Sequence, residues 1–168
     1  MDFTHLHVHT GYSLLDGSGK ISDMVNRAKE LGFKNLAITD HGVMYGVIDF
    51  YDACLSAGIK PVIGCEVYVA PGSRFEKEGA VSDDRYYHLI LLAENNEGYR
   101  TLMKIVSKGF TEGFYYKPRI DHELLEKYHE GIIALSACLA GEIPQNIVKG
   151  FYEEAKETAL WYHKVFGE

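Results

Sequence analysis

The sequence predicts one α/β domain whose strands form a parallel sheet or a (β/α) barrel. Segments with helical periodicity alternate with short apolar runs that are typical of buried strands. Two consecutive units also repeat, because Gly32 and Gly58 lie 26 residues apart and so do Asp40 and Glu66. A chain of 168 residues corresponds to about one domain. Polar residues at the carboxyl ends of such strands are expected to face one common site.

The first half of the chain contains the repeated units. Residues 4–8 are a predicted strand that runs into a Gly- and Ser-rich loop over 10–20. Apolar residues at helical spacing then predict a helix with Ser22 as its N-cap and Gly32 as its stop. The next elements are a strand over 35–39, a helix over about 47–57 that ends at Gly58, and a strand over 61–69.

The second half continues the alternation after a polar interruption. Residues 71–84, with the charged run 74–78, are expected to form an exposed excursion. An irregular aromatic segment is expected over 113–119. The predicted elements are a strand over 87–92, a helix over 97–110, a short helix from its cap Asp121 to Tyr128, a strand over 132–135 and a helix over 151–166. Five strands do not close a barrel, so we expect a portion of a larger domain.

Composition and charge argue against several classes of protein. The 17 Lys and Arg against 24 Asp and Glu give a net charge of −7 without a basic run, unlike a domain that grips duplex DNA by its phosphates. The longest apolar run, residues 89–93, is far shorter than the roughly 18 residues of a membrane helix. No signal-peptide pattern opens the sequence, and three scattered cysteines fit a reducing compartment. We therefore expect a cytoplasmic protein without a membrane partner.

Histidines at the end of the first predicted strand indicate a metal site. His7 and His9 point to the same side of a strand because they are two residues apart, so both rings can reach one ion. Imidazole nitrogens suit Zn, Mn or Fe. His5 has the same parity but lies further back. An H-x-H pair at a strand terminus favours metal binding over a packed or surface role.

The next two strands each carry a carboxylate. Asp40 and His41 point to opposite sides of an extended strand, and both can ligate only if the chain turns at Gly42. An Asx-type turn is the alternative; in the metal interpretation His41 is the ligand and Asp40 orients it. Glu66 lies inside an apolar strand, where an unpaired carboxylate is costly. Either a Lys or Arg partner or a pair of bridged metal ions would satisfy it.

Three further residues are candidate ligands. Asp16 follows the H-x-H pair and is a third or bridging ligand, unless it only forms a turn with Gly17. His88 heads an apolar strand. Cys138 follows the fifth strand, where a thiolate could ligate, although a lone cysteine is more often a small buried hydrophobe. Every predicted strand thus offers a ligand-type residue, which favours one shared site.

Six motifs together resemble one known family. They are HLHVHTGYSLLDG, ITDHG, GCEVYVAPG, HLILLAENNEGYRTLMKIVSKG, GFYYKPRID and LSACLAGEIP. The first two are similar to motifs found throughout the PHP (polymerase and histidinol phosphatase) domain family. The later ones resemble the branch at the N-terminus of bacterial DNA polymerase III alpha subunits. The resemblance extends over residues 1–168.

The resemblance implies a distorted (β/α)7 barrel, here lacking its C-terminal strands, with a site for two or three divalent ions (Zn, Mn, Fe or Mg). The family's last motif, an Asp-x-His, has no counterpart in this sequence, nor have the polymerase palm, fingers and thumb. Asp40 and Glu66 are the catalytic residues that the resemblance implies. The metal ligands that it implies are His7, His9, Asp16, His41, Glu66, His88 and Cys138.

The function that the resemblance implies is metal-dependent phosphoester hydrolysis, such as 3′–5′ exonuclease proofreading, within a DNA polymerase, which is a nucleotidyltransferase. The implied partners are a DNA 3′ end or another phosphoester, the remaining polymerase domains and a proofreading exonuclease subunit. The alternatives are a catalytically weak scaffold and a histidinol-phosphatase-like phosphomonoesterase. A metal-dependent amidohydrolase also starts with H-x-H. That class usually contains a metal-bridging lysine, and no predicted strand here ends in one, which argues against it.

Basic residues near the aromatic segment are candidates for binding a phosphate. Lys20, Lys117 and Arg119 could steady a phosphate, or they could be exposed solubilising charges. Tyr115 and Tyr116 precede two of them, as in a platform for single-stranded nucleic acid. Packing against the following helix explains these tyrosines equally well.

Overall fold

Six strands and six helices are defined in the part of the chain that the computed structural model describes, residues 3–77 and 86–167. The helices are α1 (Ile21–Glu30), α2 (Val47–Ala57), α3 (Asn96–Thr111), α4 (His122–Lys127), α5 (Glu142–Val148) and α6 (Tyr152–Phe166). The strands are β1 (Asn35–Ile38), β2 (Lys60–Val69), β3 (Tyr87–Ala93), β4 (Phe114–Tyr115), β5 (Lys117–Ile120) and β6 (Ile132–Leu135). The fold is therefore mixed α/β, as the alternating periodicity predicted.

The predicted repeat is present as α1–β1 followed by α2–β2. Strands β1 and β2 pair in parallel, with Ile38 opposite Ile63. Helix α2 ends where expected, because Gly58 adopts the left-handed conformation with φ 75°. The parallel pairing extends beyond β1 as a bridge between His41 and Glu66. The residues that follow β1 therefore lie beside the second half of β2.

The first predicted strand, over residues 4–8, is not a regular strand. Its backbone nevertheless follows β1, because the Ala37 N–H donates to the His5 carbonyl and the Thr39 N–H to the Val8 carbonyl. The Thr39 hydroxyl oxygen also accepts from the Val8 N–H at 2.8 Å. These bonds hold the H-x-H pair next to the end of β1, as expected, without a complete ladder.

The sheet is mixed, which corrects the expectation of parallel strands throughout. Strand β2 pairs with β1 and β5 in parallel, but β3 runs antiparallel to both β2 and β6. The order is β4–β5–β2–β3–β6, with β1 also on β2. Parallel neighbours need a crossover connection, usually a helix, and none is defined between β2 and β3 in the described residues. These six strands do not by themselves form a (β/α)7 barrel.

The aromatic segment over 113–119 is more regular than expected. It contains the antiparallel pair β4–β5, in which Phe114 lies opposite Pro118. Strand β5 then joins the main sheet, with Ile120 opposite Val69 of β2. The prediction of an irregular segment is therefore wrong, and these residues form an edge of the sheet.

The charged run after β2 is anchored at its first residue. Arg74 is only 6% exposed, and its guanidinium donates to the Asp121 carboxylate at 2.8 and 3.0 Å and to Glu112 at 2.8 Å. An exposed excursion is thus the wrong prediction for Arg74. Residues 78–85, which include the rest of the predicted excursion up to Asp84, lie outside the described ranges.

Helix ends agree with the sequence at some positions and differ at others. Asp121 caps α4 as predicted, because its carboxylate accepts from the Leu124 N–H at 2.9 Å. Ser22 is not the cap of α1: the N-cap is Lys20 without a side-chain bond, and the Ser22 hydroxyl lies in the first turn. Helix α5 is an element that the periodicity did not predict, since it is short and carries Pro144 in its first turn.

The apolar core leaves one face of β2 free for polar groups. Alternate residues Cys65, Val67 and Val69 pack into a cluster with residues of β3, α3 and α4. Glu66 and Tyr68 consequently lie on the other face. A second cluster joins α1, β1 and α2 through residues such as Val25 and Phe50. No helix in the described part of the chain is long and apolar enough to cross a membrane.

Candidate metal centre

The candidate site is built around the carboxylate of Glu66, whose side chain is 1% exposed. Its strand neighbours Cys65 and Val67 point into the apolar cluster, so Glu66 points to the opposite face of β2. Among the described residues, no Lys or Arg forms an ion pair with this carboxylate. The cationic side-chain partner that the sequence left open is therefore not what satisfies it.

Four imidazole rings surround the Glu66 carboxylate. His7 Nε2 and His88 Nδ1 lie 3.2 and 3.0 Å from Oε1. His9 Nε2 and His41 Nδ1 lie 3.1 and 2.7 Å from Oε2. The prediction that these five side chains converge is confirmed. Their role as metal ligands remains a prediction.

Asp16 and Cys138 border this group of histidines. Asp16 Oδ2 lies 2.8 Å from His41 Nε2, so the His41 ring stands between two carboxylates. Cys138 Sγ lies 3.7 Å from His88 Nδ1 and 4.0 Å from Glu66 Oε1. Cys138 is exposed, which excludes the alternative of a small buried hydrophobe. Both side chains therefore lie beside the histidines, and their role as ligands remains a prediction.

Asp40 supports a different histidine from the one predicted. Its buried carboxylate accepts from the Thr10 N–H at 2.6 Å, the Thr10 hydroxyl at 2.8 Å and the Ser13 hydroxyl at 2.6 Å. The Ser13 oxygen lies 3.0 Å from His9 Nδ1 and accepts from the His41 backbone N–H at 3.1 Å. The ring of His41 contacts Glu66 and Asp16 instead. The predicted Asp40–His41 side-chain pair is therefore wrong.

The contacts of Ser13 fix the tautomer of His9. A hydroxyl has one proton, and Ser13 donates it to Asp40, so towards His9 the oxygen can only accept. His9 Nδ1 then carries a hydrogen, and in the neutral ring the lone pair of Nε2 points at Glu66 and at His7 Nε2, which is 3.0 Å away. A lone pair that faces a carboxylate needs a cation between them, either a proton or a metal ion. A far nitrogen held by a hydrogen bond is also the usual arrangement of metal-binding histidines.

Two buried atoms of the site lack a hydrogen-bond partner, namely His41 Nδ1 and Glu66 Oε2. They are 2.7 Å apart, but they are not oriented as a hydrogen bond. Buried polar atoms are nearly always satisfied in proteins. Nitrogen and oxygen donors that converge without satisfying each other fit a divalent metal ion, and imidazole suits Zn, Mn or Fe.

The electrostatics of the group favour positive charge around Glu66. Burial by itself would raise the pKa of Glu66, but the contacts with His41, His88 and His9 outweigh burial and hold that pKa well below its ordinary value. The pKa of His41 is raised, chiefly by Glu66 and against the effect of burial, and Asp16 adds to the rise. Glu66 therefore stays ionised and draws positive charge to the rings around it.

An open pocket of about 450 Å³ adjoins the histidines and is called the mouth pocket below. The ring of Tyr68 lies beside two of these histidines, with its centroid 6.1 Å from that of His41 and 5.4 Å from that of His88. Lys117 Nζ lies 5.5 Å from the centroid of the Tyr68 ring. The other described lining residues include Tyr12, Leu14, Leu15, Asp16, Val43, Tyr45, Tyr86 and Phe110.

Lys117 is the one of the three predicted phosphate-binding cations that borders the site. Arg119 is only 4% exposed and donates to three main-chain carbonyl groups at 2.7–3.3 Å, so its guanidinium has a structural role. Lys20 lines a separate pocket with Tyr12 and Asp49. Among the described residues of the mouth pocket, Lys117 is the only Lys or Arg.

Left-handed backbone occurs directly before three side chains of the site. Non-glycine residues with positive φ are uncommon, and the conformation costs an L-residue roughly 1–2 kcal/mol. The three such residues in the described ranges are Leu15 (φ 68°), Tyr116 (φ 60°) and Ala137 (φ 62°), which precede Asp16, Lys117 and Cys138. Strained turns therefore position the outer side chains of the site.

The model of the PHP domain family matches residues 5–168. The chain belongs to the PHP domain family. The PHP domain is also 52% identical over 167 residues to DNA polymerase III subunit alpha of Treponema pallidum, and 52% identical over 165 residues to that of Borreliella burgdorferi. These matches cover 99% and 98% of this chain and 14% of the length of each relative.

Solved structures show a more distant likeness. A candidate metal-dependent phosphoesterase from Bifidobacterium adolescentis aligns with this PHP domain at a TM-score of 0.43 and 21% sequence identity. The alignment covers 64% of this chain and 34% of that chain.

The hydroxyl residues that support the histidines of the PHP site could not be predicted from the sequence. Thr10 and Ser13 connect Asp40 to His9, yet both lie in a Gly- and Ser-rich loop where hydroxyl residues are common. Their spacing from the H-x-H pair was the only available signal. Tyr68 shares a face of β2 with Glu66, but a tyrosine in an apolar strand gives no sign of a place at a site.

Proposed function

We propose that this PHP domain is a metal-dependent phosphoesterase that hydrolyses phosphodiester bonds, with a DNA 3′ end as its substrate. The proposal is carried by the buried carboxylate of Glu66, which four imidazole nitrogens approach within 2.7–3.2 Å. No Lys or Arg ion pair satisfies it among the described residues. Such a group calls for positive charge, and the convergence of four imidazoles on one carboxylate is the donor set that divalent metal ions take up.

Two or three divalent ions are proposed to bind at this group. Glu66 would hold them together with the histidines, because its two oxygens face different pairs of rings. When bound, such ions act as Lewis acids and lower the pKa of a bound water to about 7. Imidazole donors favour Zn, Mn or Fe over Mg, which prefers oxygen ligands. The proposed ligands are His7, His9, Asp16, His41, Glu66, His88 and Cys138.

The side chains around the proposed ligands hold them and orient the substrate. Asp40 acts through Ser13, which keeps the lone pair of His9 Nε2 directed at the site, so Asp40 is a positioning residue and not a group that touches substrate. Glu66 stays ionised under the four rings and is the proposed catalytic carboxylate. Lys117 is placed at the mouth pocket, where its ammonium group can bind a phosphate oxygen.

A wider proposal concerns the whole protein. The relatives are DNA polymerase III alpha subunits, and the 52% identity supports the same assembly for this domain, although it spans only 14% of their length. We infer a cytoplasmic DNA-directed nucleotidyltransferase in which the domain contacts the remaining polymerase domains and a proofreading exonuclease subunit. In that setting the described strands would form part of a distorted (β/α)7 barrel.

Metal content and hydrolysis test the proposal directly. Protein purified without added metal is analysed for elements per chain, and hydrolysis of bis-p-nitrophenyl phosphate is followed with Mn or Zn added. Two or three ions per chain, with turnover abolished by a chelator, would support a phosphodiesterase. A preference for p-nitrophenyl phosphate would indicate a phosphomonoesterase instead. Metal removal that unfolds the protein, with no hydrolysis by the loaded form, would favour the scaffold.

A further inference from the structure

The mouth pocket adjoins a second open pocket of about 410 Å³. The two pockets share the lining residues Val43, Tyr45 and Phe110. Beyond them the second pocket is lined by Met103 and Val106 of α3. The two adjoining pockets, called the exit groove below, extend from His41 to residues of α3.

Two aromatic rings in the exit groove are accessible to solvent. Tyr45 is 66% exposed and Phe110 is 38% exposed, and both lie where the two pockets meet. Leu14 and Leu15, 82% and 109% exposed, extend the apolar surface next to Asp16. A contiguous exposed apolar surface beside a candidate site is typical of a binding surface.

The charges of the chain restrict what can bind in the exit groove. A net charge of −7 cannot attract a polyanion over a wide surface. Lys117 is the only Lys or Arg among the described residues of the mouth pocket, and it suffices for one phosphate. Affinity for nucleic acid must then come from stacking of bases on aromatic rings, which is possible only when the bases are unpaired.

We propose that the exit groove binds the unpaired bases of single-stranded nucleic acid, stacked on Tyr45 and Phe110, while Lys117 binds one backbone phosphate. The inference rests on the proposed function, because a phosphodiester held at the histidines directs the neighbouring nucleotides into this groove. A duplex would keep its bases stacked inside the helix, away from both rings. The groove therefore selects for a frayed or single-stranded end.

Binding of a pentathymidylate tests the exit groove. The probe carries a 5′ fluorescein and hydrolysis-resistant phosphorothioate linkages, and its fluorescence anisotropy is measured with the full chain in the presence of Mn. We expect Tyr45→Ala and Phe110→Ala each to weaken binding about fivefold or more, the lower end of the effect of one stacked base. Tyr152→Ala is the matched control, because Tyr152 is 67% exposed on α6, and it should bind like the wild type.

Salt dependence provides a second measurement. Lys117→Gln should make the plot of log affinity against log salt concentration shallower by about 0.7, the value for one phosphate of a single strand. Tyr45→Ala should shift that plot without changing its slope. A hairpin duplex that stays paired under the assay conditions should bind more weakly than the pentathymidylate. Melting temperatures of all variants verify that each is folded.

The outcomes separate the exit groove from the proposed function. If the wild type hydrolyses bis-p-nitrophenyl phosphate but Tyr45→Ala and Phe110→Ala bind the probe like Tyr152→Ala, the groove proposal is overturned and the phosphodiesterase remains. If the two variants weaken binding and no hydrolysis occurs, the groove is supported and the phosphodiesterase fails. A wild type that does not bind the probe, or that prefers the duplex, also overturns the groove.

Discussion

Replacing Ser13 by alanine tests whether the orientation of His9 controls metal binding. The Ser13 hydroxyl is buried and makes three contacts, with Asp40 Oδ1 at 2.6 Å, His9 Nδ1 at 3.0 Å and the His41 N–H at 3.1 Å. The substitution deletes all three without adding volume. His9 then loses the acceptor that keeps the hydrogen on Nδ1, so its Nε2 is no longer fixed as the lone-pair atom that faces Glu66.

The contacts of Ser13 set the expected losses of metal affinity and of stability. Losing a group that is hydrogen-bonded to a metal ligand typically lowers metal affinity about 10- to 100-fold. This corresponds to about 1.4–2.8 kcal/mol. Asp40 keeps both bonds from Thr10, so it is left only partly unsatisfied. We therefore expect the free energy of unfolding of the metal-free protein to fall by about 1–3 kcal/mol. Metal affinity is measured by competition with a chromogenic chelator, and unfolding by circular dichroism in urea.

A matched variant separates orientation from stability. Thr10→Val removes the hydroxyl bond to Asp40 at 2.8 Å and keeps the side-chain volume, while Ser13 and its contact with His9 remain. It should destabilise the protein by a similar amount and leave metal affinity nearly unchanged. Equal losses of metal affinity in both variants would show that loop stability is responsible. Unchanged affinity in Ser13→Ala would refute the reasoning about the His9 tautomer.

Three other substitutions probe the site and its support. Glu66→Gln should preserve the fold but lower metal content per chain, because it deletes the charge under four rings, whereas Glu94→Gln at an exposed position should not; equal contents by elemental analysis would argue against a bridging carboxylate. Cys138→Ser should weaken Zn binding more than Mn binding, since thiolates favour softer ions; parallel losses in chelator titrations would remove Cys138 from the ligands. Arg74→Ala leaves Asp121 buried without its partner, so urea unfolding should show a loss of about 3–5 kcal/mol. A loss of about 1 kcal/mol or less would mean that this pair behaves like one on the surface.

The convergence of the histidines could be predicted because it depends on local geometry. His7 and His9 share a side of extended backbone, and strand alternation turns Glu66 away from its apolar neighbours. The 26-residue repeat also placed Asp40 and Glu66 in equivalent units. These are short-range regularities, and the structure keeps them even where residues 4–8 do not form a regular strand.

Interactions between distant parts of the chain could not be predicted from these local patterns. Arg74 and Asp121 are 47 residues apart, and an Arg inside a charged run gives no sign that it will be buried. Asp40 accepts hydrogen bonds from hydroxyl groups of a loop and does not contact the ring of His41. The reason is that the loop brings Ser13 back across the end of β1. The direction of β3 depends on the connection after β2, which has no periodicity to read.

The left-handed residues that precede Asp16, Lys117 and Cys138 have a consequence for attempts to make this domain more robust. Glycine or asparagine would relieve each of these turns, so a search for heat-resistant variants would be drawn to Leu15, Tyr116 and Ala137. The same replacements would loosen the backbone that holds the adjoining side chains at the site. Substitutions that raise thermal stability at these three positions would thus be expected to lower activity.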